Sequence, residues 1–218
     1  MITPKLHFLF GLWDTGPMPT QYAGNLETWN RALSKHSVHV WKRCECYELL
    51  QKYQELSWIL KLRPVQQADV VRLLIVYDEG GCYNDLDTHP SAGTASTWES
   101  ISDKDLVVIT ENIQDNQANQ KTRHYRYREG VAEDPVRIGN FSFAATARNP
   151  FLWKCIQLSE LRCRKFPSGS DDYYPIFTTG PDIITTTYHE AITESSILLP
   201  MDVWCKHTET GTWRNGTA

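Results

Sequence analysis

Two periodicities of apolar residues alternate along this chain, one near 2 and one near 3.6. Leu6-His-Phe-Leu-Phe-Gly11 is a short apolar run closed by glycine, which reads as a buried strand opening a parallel sheet. Val38-His-Val-Trp41 alternates like a second strand. Between them, Leu26, Trp29, Ala32 and Leu33 fall near helical spacing, so the pattern predicts a helix from Asn25 to His36 with Asn25 as its N-cap. The sharpest helix runs from Gln66 to Glu79. Its Val70, Leu73, Leu74 and Tyr77 stand at i, i+3, i+4 and i+7, and Gly80-Gly81 stops it. A short strand, Cys82-Tyr-Asn-Asp85, follows at once.

Further strands are predicted at Leu106 to Thr110, Phe141 to Thr146 and Ile197 to Leu199. Helices are predicted at Pro150 to Cys163 and Pro181 to Ile192. Asp14 to Pro19, with Gly16, Pro17 and Pro19, reads as a loop. Glu111 to Ile138 is long, polar and aperiodic, the kind of segment that serves as a lid or binding loop. Its Arg123-His-Tyr-Arg-Tyr-Arg128 stretch is either a solvated loop or a contact for an anionic or sugar acceptor. The order of elements predicts an α/β fold, a sheet covered by helices.

Composition narrows the class. At 218 residues the chain suits one domain, and a hydrophobic share of 41% is ordinary for a globular protein. A net charge of −4 gives no nucleic-acid footprint. An acidic protein that handles phosphate needs a local positive charge, and a bound cation is one solution. No segment reaches the roughly 18 apolar residues of a membrane span, and the N-terminus lacks the pattern of a signal peptide. The six cysteines form no C-x-x-C pair and read as reduced, mostly buried residues of a cytoplasmic protein. Asn140-Phe-Ser and Asn215-Gly-Thr then match the glycosylation pattern by chance.

The candidate chemistry centres on Asp85-Leu-Asp87. Alternate residues of an extended segment share a face, so both carboxylates are expected to point the same way. Adjacent carboxylates repel, and a cation between them relieves that repulsion. Mg²⁺ or Mn²⁺ prefers oxygen ligands and keeps open positions for phosphate oxygens. Asp-x-Asp alone is common, but here it follows a helix, a glycine stop and a strand. That places it at a strand end, where open α/β sheets bind ligands. Asp69 and Arg72 share one face of the helix ahead of it. They are either an intrahelical ion pair or groups for sugar hydroxyls and a phosphate oxygen.

Taken together, Ala68-Asp-Val-Val-Arg72, Tyr77-Asp-Glu-Gly-Gly81 and Tyr83-Asn-Asp-Leu-Asp87 resemble the DXD sugar-binding glycosyltransferases. That group includes yeast initiating α-1,6-mannosyltransferases, capsular-polysaccharide transferases and clostridial glucosylating toxins. Its pattern is roughly S-D-x-x-R-x-x-x-L-x-x-x-G-G-x-Y-x-D-x-D. Here Ala68 replaces the usual serine. Pro4 to Gly11, Glu27-Thr-Trp29, Gly139-Asn-Phe-Ser-Phe, Asn149-Pro-Phe151, Thr179-Gly-Pro181 and His207 with Trp213 resemble further family motifs in the same order. The opening motif lacks the family's tryptophan, so a base-stacking partner is missing from it. A more distant resemblance is to the N-terminal transferase domain of a multi-domain chlorella-virus protein. It would make the chain a fragment of a longer one acting in the host cytoplasm.

The resemblance implies a GT-A fold, a Rossmann-like nucleotide-binding mixed sheet flanked by helices, spanning 1–218 as a single domain. It implies a retaining hexosyltransferase that uses Mn²⁺ or Mg²⁺ and a nucleotide-sugar donor, most simply a UDP-sugar, with a glycan or glycoprotein acceptor. Asp69 and Arg72 would contact the donor sugar, and Asn140 would lie near the anomeric carbon. Asp85 would meet the ribose or sugar and the water shell of the metal. Asp87 would bind the metal directly, and His207 would complete its site. Phe10, Gly11, Leu12 and Gly180 would border the donor. His7, inside the first strand, reads as a hydrogen-bonded structural residue. Rival readings are a sugar- or Ca²⁺-binding module without catalysis, and a haloacid-dehalogenase-type phosphatase. The latter wants Thr or Val where His89 stands.

Overall fold

The computed structural model describes residues 1–12, 16–111, 136–166 and 173–208. Nearly all of the polar 111–138 segment lies outside them, with Arg123 to Arg128, and so do Trp213 and Asn215.

The expected strands and helices form, with some shifts. They are β1 (Lys5–Leu9), α1 (Thr20–Ala32), β2 (Ser37–Trp41), α3 (Pro64–Glu79), β3 (Gly81–Asn84), β5 (Leu106–Thr110), β6 (Ile138–Ala145), α5 (Pro150–Lys165), α7 (Pro181–Ala191) and β7 (Ser196–Leu199). Short elements that the pattern did not predict fill the gaps. They are α2 (Arg43–Gln51), a 3₁₀ helix (Gln54–Lys61), β4 (Thr88–Pro90), α4 (Thr94–Ile101), α6 (Tyr173–Thr178), α8 (Met201–Trp204) and β8 (Cys205–His207).

Six strands make one mixed sheet in the order β2-β1-β3-β6-β5-β7. β1 pairs in parallel with β2 and β3, as a βαβ crossover requires, whereas β6 runs antiparallel to both β3 and β5. Helices cover both faces, the α/β arrangement expected from the sequence. One core joins α3, α5 and α7 to Tyr83, Val108 and Phe143, and the other joins α1 and α4 to Leu6, Phe8 and Phe141. Three tryptophans, Trp29, Trp98 and Trp204, are core residues of that second layer. Among the described residues no helix is long and apolar enough to cross a membrane. All six cysteines are free, and four of them are buried.

Two local expectations are corrected. Asn25 is not an N-cap. The helix begins five residues earlier, at Thr20, and Asn25 is buried within it, where its Nδ2 donates to Leu86 O at 2.6 Å. A partner distant in sequence outweighs the capping preference of asparagine. The second correction concerns the acidic pair. β3 ends at Asn84, and Asp85 to Thr88 forms a turn in which Thr88 N–H donates to Asp85 O at 3.1 Å. A turn, rather than strand alternation, sets the direction of the two carboxylates.

β6 carries a bulge. Val108 faces Phe143, and a regular ladder would then set Thr110 against Phe141. Thr110 is instead opposite Ile138, so three residues of β6 are extra. Bulges of this kind re-aim side chains beside functional sites. The extra span contains Gly139, Asn140 and Phe141.

Candidate metal and donor site

α3 brings Asp69 and Arg72 to one face, and both are buried. Arg72 uses almost every donor it has. Nη1 lies 3.0 Å from Oδ1 and 3.0 Å from Oδ2 of Asp85, and 3.1 Å from Asn140 O. Nη2 stands 3.2 Å from Asp69 Oδ1, and Nε donates to Ala68 O at 3.3 Å. The Tyr83 ring lies beneath the guanidinium, 5.1 Å away. The pair is therefore more than an intrahelical bridge, because Arg72 ties α3 to the Asp85 turn and to the β6 bulge.

Asp69 accepts from two further groups. Asn140 Nδ2 donates to Oδ1 at 2.8 Å, and Thr179 O–H donates to Oδ2 at 3.0 Å. Burial pushes the Asp69 carboxyl up to about 6, against the opposing pull of Arg72. Burial also raises Asp85; Arg72 opposes that shift, and the neighbouring Asp87 charge adds to it. Tyr83 O–H donates to Asp85 Oδ1 at 2.7 Å, and burial holds this phenol well above its ordinary range.

Asp87 meets β8. The β4–β8 ladder sets Thr88 opposite His207, and Thr208 N–H and O–H both donate to Asp87 O, at 3.1 and 2.8 Å. His207 Nε2 lies 3.3 Å from Asp87 Oδ1. One ligand atom each from Asp85, Asp87 and His207 can be chosen so that all three lie within 4.8 Å of one another. Ligands on an octahedral ion with bonds near 2.1 Å stand roughly 3 to 4 Å apart, so the three residues fit such an ion after small adjustments. The donor set of two carboxylates and an imidazole suits Mn²⁺ or Mg²⁺ and leaves positions for phosphate oxygens.

The C-terminal end of β1 lies beside that of β3, so Phe10 and Gly11 open on the same sheet edge as the Asp85 turn. They line a groove of about 590 Å³ with Gly16, Lys42, Arg43, Cys44 and Tyr47. Lys42 Nζ sits 4.6 Å over the Phe10 ring. Leu12, next along the chain, is buried and belongs to the core that contains α3. Gly180 caps α7, and a Cβ there would stand 2.9 Å from the Ile176 backbone. That close approach leaves no room for a side chain at the turn after Thr179. His7 is satisfied at both nitrogens, by Gly80 O and by Trp41 N–H, as its structural reading requires.

The sequence reading missed Thr179 and Tyr83 as partners of the site. Both sit inside quoted motifs, T-G-P and G-G-x-Y, but nothing in their spacing reveals which carboxylate each one holds.

Residues 19–107 match a family model described as a glycosyltransferase sugar-binding region containing a DXD motif. No curated protein sequence matches the chain. Among solved structures it is similar to PaToxG glycosyltransferase, with a TM-score of 0.56 at 16% identity, over 88% of this chain and 70% of that one. It is also similar to the ligand-free glycosyltransferase domain from the YGT toxin, with a TM-score of 0.50 at 10% identity, over 93% and 81%. At such identities the likeness shows the fold. The matched region and the shared fold together support a DXD-type glycosyltransferase. The match contains Asp69, Arg72, Asp85 and Asp87 and stops before Asn140, Gly180 and His207.

Proposed function

We propose that residues 1–218 act as one glycosyltransferase domain that moves a hexose or deoxyhexose from a nucleotide-diphosphate sugar to a glycan hydroxyl. The observation that carries this reading is the meeting of Asp85, Asp87 and His207 beside the buried Asp69–Arg72 pair.

A divalent cation, when bound, supplies positive charge to a leaving diphosphate. Asp87 and His207 are its nearest protein ligands in this reading. Asp85 already accepts from Arg72 and Tyr83, which leaves it fewer lone pairs and suits contact with the water shell or the ribose. Asp69, held at both oxygens, presents its remaining acceptor capacity to donor-sugar hydroxyls. Asn140, on the bulge, borders the same space. The groove at Phe10 and Gly11 takes the nucleoside, and Lys42 and Arg43 supply donors to base carbonyls there. Uracil offers two such carbonyls, which favours a UDP-sugar. Retention of configuration rests on the family resemblance. In that route the leaving phosphate accepts the proton of the attacking hydroxyl, so no protein base is required.

The test is a thermal-shift panel of nucleotide sugars with and without Mn²⁺, since a ligand that binds the native state raises apparent stability by mass action. One donor class should stabilise the protein only with the metal present, and should be hydrolysed slowly to the nucleoside diphosphate. Turnover of simple phosphate esters instead would point to a phosphatase, and binding without turnover to a lectin-like module.

A further inference from the structure

The imidazole of His207 and the phenyl ring of Phe141 lie nearly parallel, with centroids 4.4 Å apart and planes at 21°. Phe141 belongs to the extra span of β6, and a Cβ at Gly139 would fall 2.2 Å from its Cε1 and 2.6 Å from its Cδ1. The ring therefore folds back over the bare backbone of Gly139. Any larger residue there would drive the ring away, and the ring cannot move far without leaving His207. The backbone of Phe141 serves the same site, because its carbonyl accepts from Asp85 N–H at 2.7 Å.

We propose that Phe141 is a positioning residue for the cation site: its ring, admitted by Gly139, fixes the plane of His207, while its carbonyl fixes the start of the Asp85–Asp87 turn. An imidazole binds a metal along one in-plane nitrogen lone pair, so its orientation decides whether it is a ligand. Metal-binding imidazoles are usually oriented by a hydrogen bond from the second ring nitrogen. Here the flat face of the Phe141 ring adds a second constraint on the plane of the imidazole. The next residue extends the device. Ser142 O–H donates to Asn84 Oδ1 at 2.7 Å, and Trp204 Nε1–H donates to Ser142 Oγ at 3.0 Å, all three residues being buried. Asn84 precedes Asp85 and Trp204 stands three residues before His207, so this triangle locks both ligand-bearing segments to β6.

This inference rests on the cation reading above, and the experiment separates the two. Mn²⁺ affinity is read from the free-ion EPR signal for wild type, Phe141→Leu, Gly139→Ala, His207→Ala and the Phe141→Leu/His207→Ala double variant. Phe141→Leu and Gly139→Ala should each weaken Mn²⁺ binding about tenfold or more, within the 10–100-fold range for outer-shell groups. The double variant should bind no more weakly than His207→Ala alone, since the ring acts only through the imidazole. A metal-free readout accompanies this. In wild type the His207 ring protons should be shifted upfield by the Phe141 ring current, and Gly139→Ala should remove the shift. Should Phe141→Leu fail to fold, Gly139→Ala, which retains the ring, carries the test. Folded variants with wild-type Mn²⁺ affinity overturn the positioning role while leaving the cation site intact. So do losses that add fully in the double variant, or a His207 with no upfield shift. Wild type that binds no Mn²⁺ overturns both readings.

Discussion

Arg72 grips Asp85 through a single nitrogen, Nη1, which stands 3.0 Å from each carboxylate oxygen. That leaves Nη2 and Nε for Asp69 and Ala68 O, so one guanidinium joins two acids on different segments. Lysine presents one compact ammonium and cannot span these partners. Arg72→Lys should therefore lose about 3 kcal/mol of stability, the low end for breaking a buried ion pair. Urea unfolding checks this, and nucleotide-sugar hydrolysis should vanish at temperatures where the variant is still folded. A variant as stable and active as wild type would remove Arg72 from the centre of the site.

Asp87 is fastened by its backbone, since Thr208 N–H and O–H both donate to its carbonyl, while its carboxylate faces His207. Asp87→Asn should then change metal-free stability by no more than about 0.5 kcal/mol, roughly 1–2 °C in Tm for a chain of this size. The Mn²⁺-dependent part of the thermal shift should disappear. If the shift survives, Asp87 is not a metal ligand.

Thr179 supplies the hydroxyl that Asp69 Oδ2 accepts, and both residues are buried. Thr179→Val keeps the shape and removes the donor. It should cost about 1–3 kcal/mol, the usual range for a buried acceptor left without its partner. It should also lower kcat/KM for donor hydrolysis about tenfold as Asp69 loses its fixed orientation, while Thr179→Ser should retain both properties. Equal kinetics for the Val and Ser variants would show that Asp69 does not depend on this bond.

His7 gives the fold a pH dependence. Nε2–H donates to Gly80 O at 2.8 Å, and Nδ1 accepts from Trp41 Nε1–H at 3.0 Å, so the geometry requires the neutral ring. Burial lowers its pKa from 6.5 to about 4. A folded-state value below the unfolded one means that this stability is fully present above pH 6.5. It is lost progressively as pH falls from there toward 4, by about 3 kcal/mol in all. Denaturant unfolding between pH 7 and 4.5 should show that slope in wild type, and His7→Gln should flatten it. An unchanged slope would assign the acid sensitivity to other groups.

The chain announces its fold wherever burial is one-sided or complete. The apolar run at Leu6 and the i, i+3, i+4 pattern at Val70 to Tyr77 locate β1 and α3 because both elements are buried nearly all round. Short elements such as β4 and β8 escape because three residues hold too little periodicity, and each exists only through its partner. At the site, Asp69, Arg72, Asp85 and Asp87 could be named from their chemistry and spacing and Asn140 from the family resemblance, and the structure gathers them. Their mutual contacts could not be read. The role of Phe141 depends on a bulge and on empty space at Gly139, and Thr179 reaches Asp69 across 110 residues of sequence.

The two-stranded β4–β8 ribbon joins Thr88 to His207, segments more than a hundred residues apart along the chain. Contacts of such separation form late, because a long loop must close before they return any energy. During synthesis the Asp85–Asp87 turn emerges with Asp69 and Arg72 ahead of it, and the imidazole that faces it follows more than a hundred residues later. The three groups of the candidate cation site thus come together only when the ribbon zips shut.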